Sequence, residues 1–583
     1  MNSRLWVAFA CVGFVACDAT IDAGGGGAGP SEIPGAGGSA GAGNGVPSGS
    51  GSSGGSGGTG IGVGLGNGGS GGTGGSGSTP LVEDLCDGTD DMVRRLVNRE
   101  MNATFASLAG ETRTLANVLP ESIGEGIFYT NRHSQFLNVT RVADIESKIV
   151  GPFVDGIISR EGPLPLNQRR VLTCDVALAS CTRDILTQFG AKAWRRPLLA
   201  SEVDALVKVA TDAAQGVPLE GLRWALKALM LSPDFLFIID RVGAGGQLTG
   251  PSLASRLSFF LWGETPDAAL LKAATDGTLL NPTVYQAQVK RLLADSKATG
   301  QWRGNLGGEL FGLNRAVPPT LTDPKFAKYQ AARPSMEKES DTFMRALLTQ
   351  NRPIRDVLLS DYSFVDAPLA AFYGVPNPAT AMSQVTLPAG RSGILTQPFL
   401  TASDHGARNP IFRGVWVFKR LMCKTLVLPD NLTIPPFEGS ANGPKTVAEQ
   451  LKAHQANAAC ATCHNLIDPV GLAMEELDEA SQLRTAYSDG TPLAKDIKLF
   501  TGATVSNVRG LAQALLDTNE YESCMLRQMS AYANGTSAEY IAAAPVAAMK
   551  ATWATKNYGV RDLLETVAVD ATFKASCGPR LRH

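Results

Sequence analysis

The sequence predicts a mainly α-helical protein, several helical modules in tandem behind a disordered glycine- and serine-rich N-terminal tether. Three observations carry this prediction. Residues 24–77 hold 28 of the 64 glycines, a composition too poor in large apolar side chains to offset the entropy of folding. From about residue 90 onward apolar residues recur at helical spacing, and period-two alternation is scarce. A hydrophobic fraction of 44% over 583 residues leaves ample material for packed cores behind the tether.

The first segment, residues 1–16, has a single basic residue, Arg4, followed by an apolar run from Leu5 to Ala16. That run is too short to cross a membrane and reads as an export signal. Ala16-Cys17 resembles a lipobox, which makes Cys17 the candidate lipidation residue and a membrane the expected partner through that lipid. Ordinary signal cleavage beside an incidental cysteine is the alternative. Residues 17–80 then serve as a tether with a reach of roughly 40 to 45 Å. The expected location is the bacterial cell envelope, lipid-anchored on the periplasmic face or the cell surface. Fifty-two Lys and Arg against 54 Asp and Glu argue against a nucleic-acid partner.

Behind the tether, residues 90–109 predict a helix capped by Asp90 or Asp91, with Val93, Leu96 and Val97 on one face. Ser201-Glu202-Val203-Asp204 reads as a capping box ahead of Val203, Leu206, Val207 and Ala210. Residues 219–230 repeat the pattern through Leu222, Leu226 and Leu229. Thr265-Pro266-Asp267 marks another helix start, with proline in the first turn and Gly277 as its stop. Breaks fall near residues 241–251, 375–393 and 427–444. Of ten cysteines, Cys11 leaves with the signal and Cys17 takes the lipid, so eight remain for an oxidising compartment. Cys174 and Cys181 suit a local disulfide. The pairing of Cys86, Cys423, Cys524 and Cys577 stays open.

One motif carries chemistry. Cys460-Ala461-Thr462-Cys463-His464 is a CxxCH, whose two thiols can form thioethers to haem and whose imidazole can ligate the iron. A small disulfide or a metal site at Cys460 and Cys463 is the competing reading, although zinc would want further ligands that the chain does not space suitably. Three of the five histidines, His405, His454 and His464, fall within sixty residues. His464 is the candidate proximal ligand, and His405 or His454 the candidate sixth ligand. Met474 lies close behind the motif and reads as core. Trp194-Arg195-Arg196-Pro197 reads as a structural corner, and Tyr362, Phe364, Phe372 and Tyr373 as apolar packing. No residue is identified as catalytic.

With these residues in view, HQANAACATCHNLIDPVGLAMEELDEASQLRT resembles the cytochrome-type module of a multidomain planctomycete- and myxobacteria-type family. That family carries the domain of unknown function 1592, with companion domains 1587, 1595, 1588 and 1585. RRLVNREMNAT resembles its first helical module, with Met101 where an aromatic is usual. CTRDILTQFGAKAWRRPLLASEV resembles the next, LASRLSFFLWGETPDAALLKAA and DYSFVDAPLAAFYGV the central one. GILTQPFLTASDHGARNPIFRGVWVFKRLMCKTL resembles the stretch leading into CxxCH, with His405 and Arg413-Gly414 at matching places. The modules fall at 81–173, 174–246, 247–378, 390–490 and 500–577. The resemblance implies a largely helical exported protein with a covalent haem c. It places Ile467-Asp468-Pro469 and Gly471 in a turn and helix behind the haem. The expected function is single-electron transfer with an unidentified redox partner. A haem-dependent peroxidase or oxygenase, and a non-enzymatic scaffold whose CxxC is a disulfide, are the alternatives.

Overall fold

The computed structural model describes residues 93–121, 127–132, 135, 137–314, 318–376, 381–403, 409–426, 446–456 and 458–575. The export signal, the tether, Cys17, Cys86, His405 and Cys577 lie outside the described residues. The protein is mainly α, with three two-stranded antiparallel ribbons among the described residues.

The first expected helix starts later than its pattern suggests. Arg94–Arg95 form strand β1, which pairs with β2 at Phe237–Ile238, Arg94 lying opposite Ile238. Helix α1 therefore runs Asn98–Ala109 and ends at Gly110, in the left-handed region at φ +65°. Leu96 and Val97 are buried ahead of the helix rather than on its face. The reason is tertiary: the Arg94 guanidinium pairs with Glu100 of α1, a carboxylate with no solvent exposure. Once that arginine is drawn inward, its backbone joins the distant β2 strand.

Helices α2 (Gly151–Glu161), α3 (Ala179–Ala193), α4 (Ala200–Ala214) and α5 (Pro218–Leu231) follow. The corner after α3 is structural, as expected. Arg195 takes φ +58° and its guanidinium donates to the carbonyls of Asp234 at 2.6 Å and Phe237 at 2.7 Å. The backbone stays extended through Leu199, so Leu199, not Ser201, is the cap of α4, and the Glu202 carboxylate accepts its N–H at 2.8 Å. In the same way Asp267 alone caps the helix Ala268–Thr275, accepting from Leu270 N–H at 2.9 Å, while Thr265 and Pro266 precede the cap. Gly221 brings α5 onto α4 so closely that a Cβ would stand 2.1 Å from the Ala210 carbonyl oxygen.

These N-terminal elements enclose one hydrophobic core, with Phe105 stacked on Phe153 at 4.2 Å between ring centres and Leu222, Leu226 and Leu229 against them. A second, larger core joins Phe128 to residues from Leu248 to Phe573. Helices α6 (Gly250–Leu261), α7 (Pro282–Ala294), α8 (Ala327–Thr349) and α9 (Asn409–Leu421) build it together with α10 (Val447–Gln455) and α11 (Ala458–Leu472). Helices α12 (Val508–Asp517), α13 (Glu520–Asn534) and α14 (Val560–Val569) complete it. Strand β3 (Tyr362–Val365) pairs with β4 (Ser383–Thr386), and β5 (Ile497–Lys498) with β6 (Thr504–Val505). Among the described residues two disulfides are formed: the expected Cys174–Cys181, and Cys423–Cys524, which ties the end of α9 to α13. Among the described residues no helix is long and apolar enough to cross a membrane.

Candidate functional site

The CxxCH motif occupies the first two turns of α11. A helix places residues three and four apart on one side, so Cys460, Cys463 and His464 share a face. Cys460 is buried and Cys463 half-buried, and both are free thiols rather than a disulfide. One turn further, the carboxylate of Asp468 has no solvent exposure. Its Oδ1 lies 2.9 Å from His464 Nδ1, and its Oδ2 accepts from Gln455 Nε2 at 2.9 Å, at the end of α10. An ionised carboxylate only accepts hydrogen bonds. Against an ionised Asp468, Nδ1 is the donor of this bond, and Nε2 is the ring nitrogen left outside it.

His454, from the last turn of α10, packs its ring edge-on against His464 at 4.5 Å between ring centres. Burial and the neighbouring His464 lower its pKa, with Asp468 opposing them. This is the normal spacing of an edge-to-face ring pair, and it leaves no room for an iron between the two imidazoles. Met474 is buried in the larger core, and its carbonyl accepts from Arg413 Nη1 at 3.1 Å.

Two glycines seat α11. A Cβ on Gly471 would stand 1.8 Å from the Pro410 carbonyl oxygen, and one on Gly414 would stand 2.2 Å from that of Ile467. Helices α9 and α11 thus run antiparallel in direct backbone contact. Ile467-Asp468-Pro469 lies inside α11 rather than in a turn. Asp468 and Gln455 are the site residues that sequence reasoning passed over. The signal for Asp468 was its four-residue spacing from His464, read instead as shaping a turn. Gln455 had no such signal, because its contact is made between helices.

The residues brought together fit a covalent haem. Two unpaired thiols and an imidazole share one helix face, with Nε2 left to ligate and a buried carboxylate holding Nδ1. Among the described residues no group of three or more His, Cys, Asp or Glu is placed to hold a metal ion by itself.

A second polar centre hides within the expected aromatic packing. Glu339 of α8 is fully buried and accepts from Ser363 Oγ at 2.6 Å and from the Tyr373 hydroxyl at 2.8 and 3.0 Å. Burial dominates over these donors and pushes its carboxyl up to about 7. The Arg391 guanidinium lies 4.8 Å from the centre of the Tyr373 ring.

Four segments match family models, each described as a protein of unknown function: DUF1595 over residues 181–240, DUF1592 over 248–375, DUF1588 over 391–487 and DUF1585 over 501–573. No curated protein and no solved structure matches the chain. The chain belongs to the multidomain family built from these four domains.

Proposed function

We propose that this family member is an exported, lipid-anchored carrier of single electrons in the cell envelope, with one haem c held by Cys460, Cys463 and His464. The observation that supports it most directly is the fully buried Asp468 on His464 Nδ1, one turn beyond two unpaired thiols. A metal-ligating histidine generally donates its other ring N–H to a carboxylate or carbonyl, which orients the ring and raises its basicity. Bound haem would supply a reversible one-electron couple. Cys460 and Cys463 would add their S–H groups across its two vinyl groups, and His464 Nε2 would face the iron. Asp468 and Gln455 would keep the imidazole aligned, and His454 would have to leave its present contact.

His405 is the preferred opposite ligand. The Pro410–Gly471 and Gly414–Ile467 contacts place Asn409 about 12 Å along α11 from His464. Four residues of extended chain span up to about 14 Å, a length that would let His405 serve as that ligand. Disulfides such as Cys423–Cys524 accord with an oxidising compartment, and the lipid on Cys17 would hold the protein at a membrane. The redox partner would be an unidentified component of that compartment.

The test is a haem stain on a denaturing gel with a pyridine haemochrome spectrum, after coexpression with the c-haem maturation machinery. Wild type is expected to stain at full size, and Cys460→Ala to lose one thioether and alter the haemochrome. A colourless wild-type band, with a control cytochrome loaded in parallel, would end the haem reading and leave a binding or scaffold lipoprotein. The strongly held His464 also favours a second reading, haem-dependent oxidation of a substrate, which a high-spin ferric spectrum and ready cyanide binding would support.

A further inference from the structure

A cleft of about 290 Å³ opens between the segment matched by DUF1592 and the one matched by DUF1585. Arg355 and Leu359 line it from the two ends of the short helix Asp356–Leu359. Leu516 and Asp517 face them from the end of α12, Glu522 from the start of α13, and Tyr558 from the turn before α14. Its volume is that of roughly ten liquid waters. Small-molecule sites favour such junctions between domains.

Charges of both signs line this cleft without pairing with one another. The Arg355 side chain is exposed and makes no hydrogen bond or ion pair among the described residues. Its neighbour in sequence, Asp356, accepts instead from the Tyr362 hydroxyl at 3.1 Å. Asp517 ends α12 with no basic residue in that helix's last turn, and its Oδ1 accepts from Gln513 Nε2 at 2.7 Å. The negative end of the α12 dipole, with a carboxylate upon it, favours a cation there. Glu522 is 6% exposed. Its Oε2 is sealed from solvent, 3.5 Å from Lys550 Nζ, while Oε1, the oxygen still open, accepts no hydrogen bond among the described residues. Leu359, Leu516 and the Tyr558 ring add apolar surface between these charges.

An uncharged ligand would leave all three charged groups unmatched. A simple anion would satisfy Arg355 but meet two carboxylates, and a simple cation would do the reverse. An ammonium carries three donors, enough for both carboxylates, and a carboxylate matches the two-pronged guanidinium of arginine. We propose that this cleft binds a small zwitterion of the α-amino-acid class with an apolar side chain, its carboxylate on Arg355 and its ammonium between Asp517 and Glu522 Oε1. None of these residues belongs to the CxxCH cluster and no haem is required, so the test stands apart from the haem stain.

The probes are L-leucine, its methyl ester and its N-acetyl derivative, titrated calorimetrically into the full chain. Leucine is expected to bind saturably. The ester lacks the carboxylate and the N-acetyl derivative the ammonium, so each should bind at least about tenfold more weakly. Arg355→Gln, at an exposed position, is expected to bring leucine to within about threefold of its methyl ester. Glu522→Gln should narrow the gap between leucine and N-acetyl-leucine. Asp517→Asn, also exposed, should narrow the same gap and serves if the Glu522 variant folds poorly. Absence of saturable leucine binding, or equal affinity for the three probes, overturns the proposal. A folded Arg355→Gln protein that still rejects the ester, or an unchanged N-acetyl gap in Asp517→Asn, overturns it equally.

Discussion

The two hydrophobic cores use the same devices on different scales. In the N-terminal core, Cys174–Cys181 closes seven residues and Glu100 is neutralised by Arg94, six positions away. In the larger core, Cys423–Cys524 bridges a separation of 101 residues, and Glu339 is held by hydroxyls from Ser363 and Tyr373. Glu100 has Arg94 paired with it directly, whereas at Glu339 burial outweighs the hydroxyl donors and the nearby Arg391 and pushes the carboxyl up. In the first core the disulfide and the buried Arg94–Glu100 pair are both short-range. The second depends on contacts remote in sequence, and it is also the core that carries the CxxCH cluster.

The disulfides give the largest expected difference. Loop-closure entropy assigns about 5 kcal/mol to the long loop and about 2.5 kcal/mol to the short one. Replacing Cys423 and Cys524 by serine should therefore lower the urea midpoint about twice as far as replacing Cys174 and Cys181. Equal losses would remove the distinction in scale between the cores.

Next come the two isosteric substitutions of buried carboxylates. Glu100→Gln leaves Arg94 buried without its counter-charge and should cost about 3 kcal/mol at any pH between 5 and 8. Glu339→Gln should behave oppositely. The native carboxyl, pushed up to about 7, holds a proton that the unfolded chain, at its ordinary 4.5, has already lost. Wild-type stability from this group is therefore full below pH 4.5 and falls as pH rises through 7, by about 3 kcal/mol in total. The Gln variant should abolish that slope in a series of urea titrations at stepped pH. A variant whose slope matches the wild type would place the titrating group elsewhere.

The smallest effect on stability is expected at Asp468→Asn. The fold should lose about 1 to 2 kcal/mol for one imperfectly replaced buried hydrogen bond. The haem-loaded form should instead reveal the substitution in its midpoint potential, which should move upward as the imidazole becomes a weaker donor. A potential unchanged within error would reduce Asp468 to a packing residue.

Much of the fold was legible because helical periodicity is a local property. Leu222, Leu226 and Leu229 face the core as their spacing implies, and Arg195 turns the expected corner. The local disulfide was legible for the same reason. Failures came where a distant partner intervened: Arg94 and Arg95 left the helical pattern to pair with Phe237 and Ile238, and the cap of α4 moved from Ser201 to Leu199. At the candidate site, Cys460, Cys463 and His464 could be named from spacing, and His454 from its nearness in sequence. Gln455 could not, because an interhelical contact to Asp468 makes it a site residue.

The sequence by itself determined a mainly helical chain of several tandem modules and the one face of α11 that gathers two thiols and an imidazole, since these follow from composition, periodicity and the geometry of a single helix. Only the tertiary structure decided which carboxylates are buried and against what, which distant cysteines meet, and which nitrogen of His464 faces Asp468. Each of those depends on burial and on the partner that packing brings within about 3 Å, and neither is encoded by the order of neighbouring residues alone.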